Sequence, residues 1–185
     1  MNGRVLAVGA ITGTASWVLG YLVTVTAASG RVQGATEGPI LGVLAAEGAS
    51  SWQIGGLVYF NAHGVAHRVP GVGDTPAGAE NYLAGTDPSL QLLGLVPIAL
   101  LVVAGLTVAT VTTRPRRPST GALVGGSVAT GYLLATAAGM LSIAVTVDGG
   151  TVRPDPIPAL AIAGFLYPAV FGALGGVLAS LEWRE

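Results

Sequence analysis

The chain of 185 residues contains no cysteine and no lysine. Without cysteine there can be no disulfide, no thiolate metal site and no cysteine nucleophile. All eight basic residues are arginines. Charge of either sign is scarce, at 9% against about 25% in an average soluble domain. The one basic cluster is Arg114, Arg116 and Arg117, so nucleic-acid binding has no electrostatic footing. No phosphate-cradling loop is present either. Gly125-Gly126 and Gly175-Gly176 lie inside apolar runs and lack a following Lys and Ser or Thr. No cofactor is expected, and no catalytic residue; the chain reads as a non-enzyme.

What the chain has instead is uninterrupted apolar length. Val5–Gly30, Pro88–Thr113, Pro118–Val147 and Pro156–Leu181 carry no charged residue over 26, 26, 30 and 26 positions. Crossing a hydrocarbon core about 30 Å thick takes roughly 20 apolar residues of helix. With mean hydropathy of +0.69, this composition folded in water would leave large exposed apolar patches. The chain is therefore expected to be one all-α membrane domain over 1–185. Its helices are expected at about 5–28, 89–112, 119–147 and 158–181. The first run is too long for a secretory signal's apolar region of about 7–15 residues, so it reads as a retained helix.

Arginine placement sets the expected topology. The short loop Arg114-Pro115-Arg116-Arg117-Pro118 belongs inside, because the positive-inside bias is strongest in short loops. Four crossings then put both termini in the cytoplasm and residues 29–88 outside, in the cell membrane. Residues 48–67 also lack formal charge. Their Ser, Asn, His and Gly content dilutes the segment, so it reads as an interfacial or re-entrant amphipathic helix at about 50–67 rather than a fifth crossing. Pro70 to Pro88 reads as an irregular loop, as does the stretch from Asp148 to Ile157. Pro97 and Pro168 lie inside their helices, and Pro97 predicts a kink in the second. Tyr82-Leu83 and the C-terminal Trp183 read as interface anchors.

Lipid gives helices no hydrophobic reason to associate, so small residues that admit close backbone contact must supply it. Gly9 and Gly13, Gly121 and Gly125, and Gly172 and Gly176 stand four apart. Each pair opens a groove for a neighbouring helix, within the chain or in another subunit. A homo-oligomer, or assembly with other membrane proteins, is expected beside the lipid bilayer itself.

No Asp, Glu, Lys, Arg or His falls within the four expected spans. That counts against a proton-coupled transporter, a pump or a voltage sensor. It leaves a passive path lined by hydroxyls such as Thr107, Thr110, Ser127, Thr130, Thr136, Ser142 and Thr146. These hydroxyls also commonly bond their own helix. His63 and His67 stand four apart, a spacing that suits a metal on one helical face, with Glu47, Asp74 or Glu80 as a third ligand. The alternative is two interfacial imidazoles bonded to water or headgroups. Trp52, Tyr59, Phe60 and His63 fall on one side of the same expected helix, beside Asn61. They make it either a surface-lying element or a lid over the bundle mouth.

The segment Ser51-Trp52-Gln53-Ile54-Gly55-Gly56-Leu57-Val58-Tyr59-Phe60-Asn61-Ala62-His63, with Val69-Pro70-Gly71 after it, resembles a family of small haloarchaeal membrane proteins. Some of these carry a transporter label. The resemblance implies about four helices and makes Asn61 and His63 the residues to watch; it supplies no catalytic residue. Absent lysine and acidic outer loops agree with it. Two functional classes remain. One is a small transporter-like or pore-forming oligomer without intramembrane titrating groups. The other is a structural or accessory subunit of a larger membrane complex.

Overall fold

A computed structural model of the chain describes residues 2–32, 44, 48–71, 77–81, 83, 91–147 and 150–182. Most of them are helical. The four long apolar helices are α1 (Gly3–Val32), α3 (Leu92–Thr112), α4 (Pro118–Ser142) and α5 (Pro156–Glu182). A shorter helix, α2 (Ser51–Ala62), follows α1. Each long helix is long and apolar enough to cross a membrane. Each also presents large apolar side chains outward, such as Ile11, Val103, Leu141 and Phe165. That surface suits lipid and not water. The chain is a multi-pass membrane protein.

The long helices form a closed ring. α1 lies between α3 and α4, and α5 packs against both of those. Glycines make the contacts. Gly9 and Gly13 of α1 press on the backbone of Ser127 and Val128 in α4. Gly121 and Gly125 of α4 meet Gly176 and Gly172 of α5, and Gly105 of α3 meets Gly172. At each of these places a Cβ would collide with backbone, so the close approach requires glycine. The six expected packing glycines therefore sit between helices of one chain. They offer no argument for a second subunit.

Proline sets two local departures from regular helix. Pro97 falls in the first turn after a 3-10 segment at Leu92–Gly94, where its missing N–H is not needed. It accordingly sits where the 3-10 segment passes into regular helix. Pro168 follows a π-helical stretch, Ala159–Leu166, in the outer half of α5.

The third span ends earlier than expected, at Ser142 rather than Val147. Val145–Val147 is instead strand β3, paired with β4 (Gly150–Pro154). Two further strands, β1 (His67–Val69) and β2 (Gly78–Glu80), complete an antiparallel sheet in the order β2-β1-β4-β3. Stretches expected to be irregular thus carry a small sheet. β-branched Val-Thr-Val suits a pleated strand better than a helix end. The register Val147↔Gly150 leaves Asp148 and Gly149 between the strands, a hairpin signal that sequence reading passes over. His67 and Val69 face inward and Arg68 outward; Val152 and Pro154 face inward and Arg153 outward. This period-two pattern lays one face of the sheet on the outer end of the bundle.

Candidate functional site

α2 packs into the end of the bundle that carries the sheet. Its Gly55 lies against Val25 of α1, and its Tyr59 ring lies against Gly20. Moving along α2 therefore means moving back down α1, toward the bundle centre. Gly56 fits under Ile143, and Gly94 at the outer end of α3 faces the Ala62 carbonyl. Every residue from Ile54 to Ala62 is buried. α2 is thus packed into the bundle rather than laid on its surface. It fills the space outward of α3 and is buried all round rather than along one face.

Local chemistry fixes both ends of α2. At the start, the Gln53 side-chain oxygen accepts from the Ser50 N–H (3.0 Å) and hydroxyl (2.6 Å). Gln53 Nε2 donates to the Ala144 carbonyl at 2.7 Å, pinning α2 to the end of α4. At the other end, the Gly64 N–H bonds the Asn61 carbonyl and the Val65 N–H bonds the Phe60 carbonyl. With Gly64 at φ +75°, this is a Schellman stop, which needs a residue without Cβ. Asn61 Nδ2 reinforces it by donating to the Val65 carbonyl at 2.7 Å. The expected helix to residue 67 therefore ends at Ala62.

This stop separates the two histidines. His63 caps α2, while His67 lies in β1. They are not neighbours on one helical face, which removes the geometric basis for a shared metal. Among the described residues, no group of three or more His, Asp or Glu is arranged to hold a metal ion. Glu80 is exposed, and Glu47 and Asp74 lie outside the described residues. Burial pulls both imidazoles down to about 4, partly opposed by backbone hydrogen bonding to Tyr59 for His63 and Leu57 for His67. Both are neutral at pH 7.

His63 meets a set of aromatics that sequence reading does not connect. Its Nδ1 lies 2.8 Å from the Tyr59 carbonyl, and its Nε2 lies 2.6 Å from the Tyr132 hydroxyl. The hydroxyls of Tyr59 and Tyr132 are 2.7 Å apart. A carbonyl only accepts, so Nδ1 carries the proton and donates. In the neutral ring Nε2 must then accept, and Tyr132 O–H donates to it. That leaves the Tyr132 oxygen to accept from the Tyr59 O–H. The bonds run from the Tyr59 hydroxyl through Tyr132 and His63 back to the Tyr59 carbonyl, a closed circuit with every member satisfied.

Rings pack around the circuit. Trp17 meets Tyr59 edge-on at 5.4 Å and stacks on Tyr21 at 5.6 Å. Tyr167 lies 5.2 Å from His63 and 5.2 Å from Phe171. Tyr132 stands ten residues before the end of α4 at Ser142. At 1.5 Å per residue this places Tyr132 about 15 Å in from that end of α4.

The remaining expected site residues are dispersed. Trp52 is half-exposed at the outer rim, where its carbonyl accepts from the Tyr21 hydroxyl at 3.0 Å. Phe60 and Asn61 are buried with His63. The hydroxyls expected to line a path turn to their own helices: Thr107 to Val103, Thr110 to Leu106, Ser127 to Val124 and Ser142 to Ala138. Thr136 differs, because its buried Oγ1 has no hydrogen-bond partner. Trp183 and Tyr82 lie outside the described residues.

The chain belongs to DUF7978, a family of unknown function whose profile matches residues 1–182. No curated protein and no solved structure matches the chain.

Proposed function

We propose that the protein is a small transporter-like protein of the cell membrane, with both termini cytoplasmic, in which α2 is a lid closed into the outer mouth. One observation carries this reading: a helix outside the four spans packs into the bundle and buries a hydrogen-bonded imidazole, His63, against α4. The four spans themselves hold no Asp, Glu, Lys, Arg or His, which is the chief objection to coupled transport. His63, which lies outside the spans, bears on that objection. Non-spanning helix at membrane depth is tolerated where protein buries it, and buried ionisable groups there tend to serve a pathway. The five arginines on the inner side of a four-crossing topology, Arg4, Arg114, Arg116, Arg117 and Arg184, support the orientation. Resemblance to haloarchaeal membrane proteins, some labelled transporters, agrees with this reading.

The test is flux in liposomes holding the purified protein. Proton entry under an imposed potential, followed with a trapped pH dye, and swelling in a panel of small neutral solutes are the readouts. Flux above protein-free vesicles that falls in His63→Gln supports the proposal. Background flux throughout the panel would overturn it.

A second reading, an accessory subunit of a membrane complex, draws on a different observation. The inner half is sealed by backbone-to-backbone contacts at Gly105–Gly172 and Gly121–Gly176, as suits a non-conducting element. The mass and composition of the gently extracted particle separate the two. Stoichiometric recovery with other proteins favours the accessory role, and a pure homo-oligomer favours transport.

A further inference from the structure

Pro168 has no N–H, and in a regular α-helix its ring would strike the carbonyl four residues back, that of Gly164. The helix upstream is widened instead. Ala159–Leu166 is π-helical, and the Tyr167 N–H bonds the Ile162 carbonyl five residues back. Such stretches are rare, mostly a single turn long, and frequent at functional sites. This one runs eight residues.

Its two ends are held differently. The outer end is tied to the segment after the lid. The Asp155 N–H bonds the Ala66 carbonyl at 3.0 Å, and the Arg68 guanidinium pairs with the Asp155 carboxylate at 3.0 Å. The inner end is locked by glycines: Gly172 against Gly125, Gly175 against Val102 and Gly176 against Gly121. Any movement between α2 and the bundle would therefore fall between residues 155 and 172, where the π stretch lies. Immediately after the stretch comes Tyr167, whose ring packs on His63. Beside it, Gly164 faces Thr136, whose buried hydroxyl has no partner in this arrangement. A buried donor left over in one packing is what a second packing would use.

We infer that the π-helical stretch 159–166 is a hinge: returning it to α-helix turns Tyr167 off His63 and releases α2 from the bundle. A shift of one residue in register rotates the helix after the stretch by about 100° relative to the helix before it. That is enough to take the Tyr167 ring out of contact. The π form is the closed state and the α form the open one, with Pro168 holding the balance toward closure. This rests on the reading of α2 as a lid, but its test measures labelling, so failure of flux and failure of the hinge are told apart.

The chain has no cysteine, so a single reporter is clean. Ala62→Cys, at a site 4% exposed, is reacted with a membrane-impermeant maleimide in proteoliposomes. Adding Pro168→Ala removes the reason for the π turn. It is expected to raise the labelling rate about tenfold or more, since labelling reads the open population directly. Pro97→Ala, in the first turn of α3, is expected to leave the rate unchanged. A folded Pro168→Ala protein that labels like its parent overturns the hinge. If Pro168→Ala does not fold, hydrogen exchange on the unaltered protein decides. Amides of 159–166 and 54–62 are expected to exchange together and faster than those of 172–180. Exchange of 159–166 as slow as 172–180 overturns the proposal.

Discussion

The Tyr132 hydroxyl donates to His63 Nε2 across 2.6 Å, joining α4 to the end of α2 over 69 residues of sequence. The direction of that bond is set by the Tyr59 carbonyl at the far side of the imidazole. It makes the two tyrosines unequal, although both are buried and both belong to the circuit.

Tyr132→Phe leaves both His63 Nε2 without its donor and the Tyr59 hydroxyl without its acceptor. Two buried groups orphaned at about 1–3 kcal/mol each suggest a loss of roughly 2–5 kcal/mol. Tyr59→Phe leaves the Tyr132 donation intact and is expected to cost about 1 kcal/mol. Unfolding in detergent gives both values. Equal losses, or the reverse order, would show the assigned direction to be wrong.

His63 and His67 are held near 4 by burial, against about 6.5 in an unfolded chain. The folded state therefore binds fewer protons between these values, and stability rises with pH across the window. It is fully present above about pH 6.5 and lost as pH falls toward 4, on the order of 3 kcal/mol for each imidazole. The rings facing His63 are those of Tyr59, Tyr132 and Tyr167, with no carboxylate or guanidinium among them. Melting temperature against pH checks this. His63→Asn is expected to flatten the acid slope, and an unchanged slope would remove His63 from the account.

A Cβ at Gly131 would run into the backbone of Ala10, whereas one at Gly126 would find the Ala169 carbonyl oxygen at 3.7 Å and Ala173 Cβ at 4.0 Å. Gly131→Val is expected to destabilise by about 1–3 kcal/mol or more, because backbone cannot yield as a side chain can. Gly126→Ala should be close to neutral. Gly172→Leu, which meets Val128 and Gly125 of the same chain, is expected to unfold the bundle rather than shrink a complex. Size-exclusion profiles with thermal melts distinguish these outcomes, and a smaller but fully folded Gly172→Leu particle would contradict the intrachain packing.

Arg68 and Asp155 form an ion pair at the rim, with side chains 54% and 22% exposed. Water and salt screen such a pair, so Arg68→Ala should cost under about 1 kcal/mol. A loss well above that would mean the pair holds β1 against α5 more firmly than its exposure implies.

The spans are legible in the sequence because lipid imposes a single rule, a charge-free run long enough to cross. Where that rule does not apply, legibility falls. Ile143 to Val147 is uncharged and lengthens the third charge-free run, yet its β-branched Val145–Val147 pairs as a strand with β4. Gly64 does not merely weaken a helix running through His67; it terminates that helix. The asparagine and glycine around the stop are the available signal.

The candidate site is half legible. Asn61 and His63 draw attention as polar residues in an apolar setting. Tyr132, Tyr167 and Trp17 do not, because an aromatic inside a charge-free run looks like any other lipid-facing or packing residue. No local pattern reports that one of them meets an imidazole from another segment.

Sequence alone determined that this chain lives in a membrane, how many long helices it has and which small residues let them touch. Each of these comes from composition within one segment, since a helix in lipid satisfies its own backbone. Only tertiary structure decided that α2 enters the bundle, that the glycines serve one chain and that His63 closes a circuit with two tyrosines. Those depend on which segments meet at one depth, and contact between distant segments is set by packing, which leaves little trace in any single run of residues.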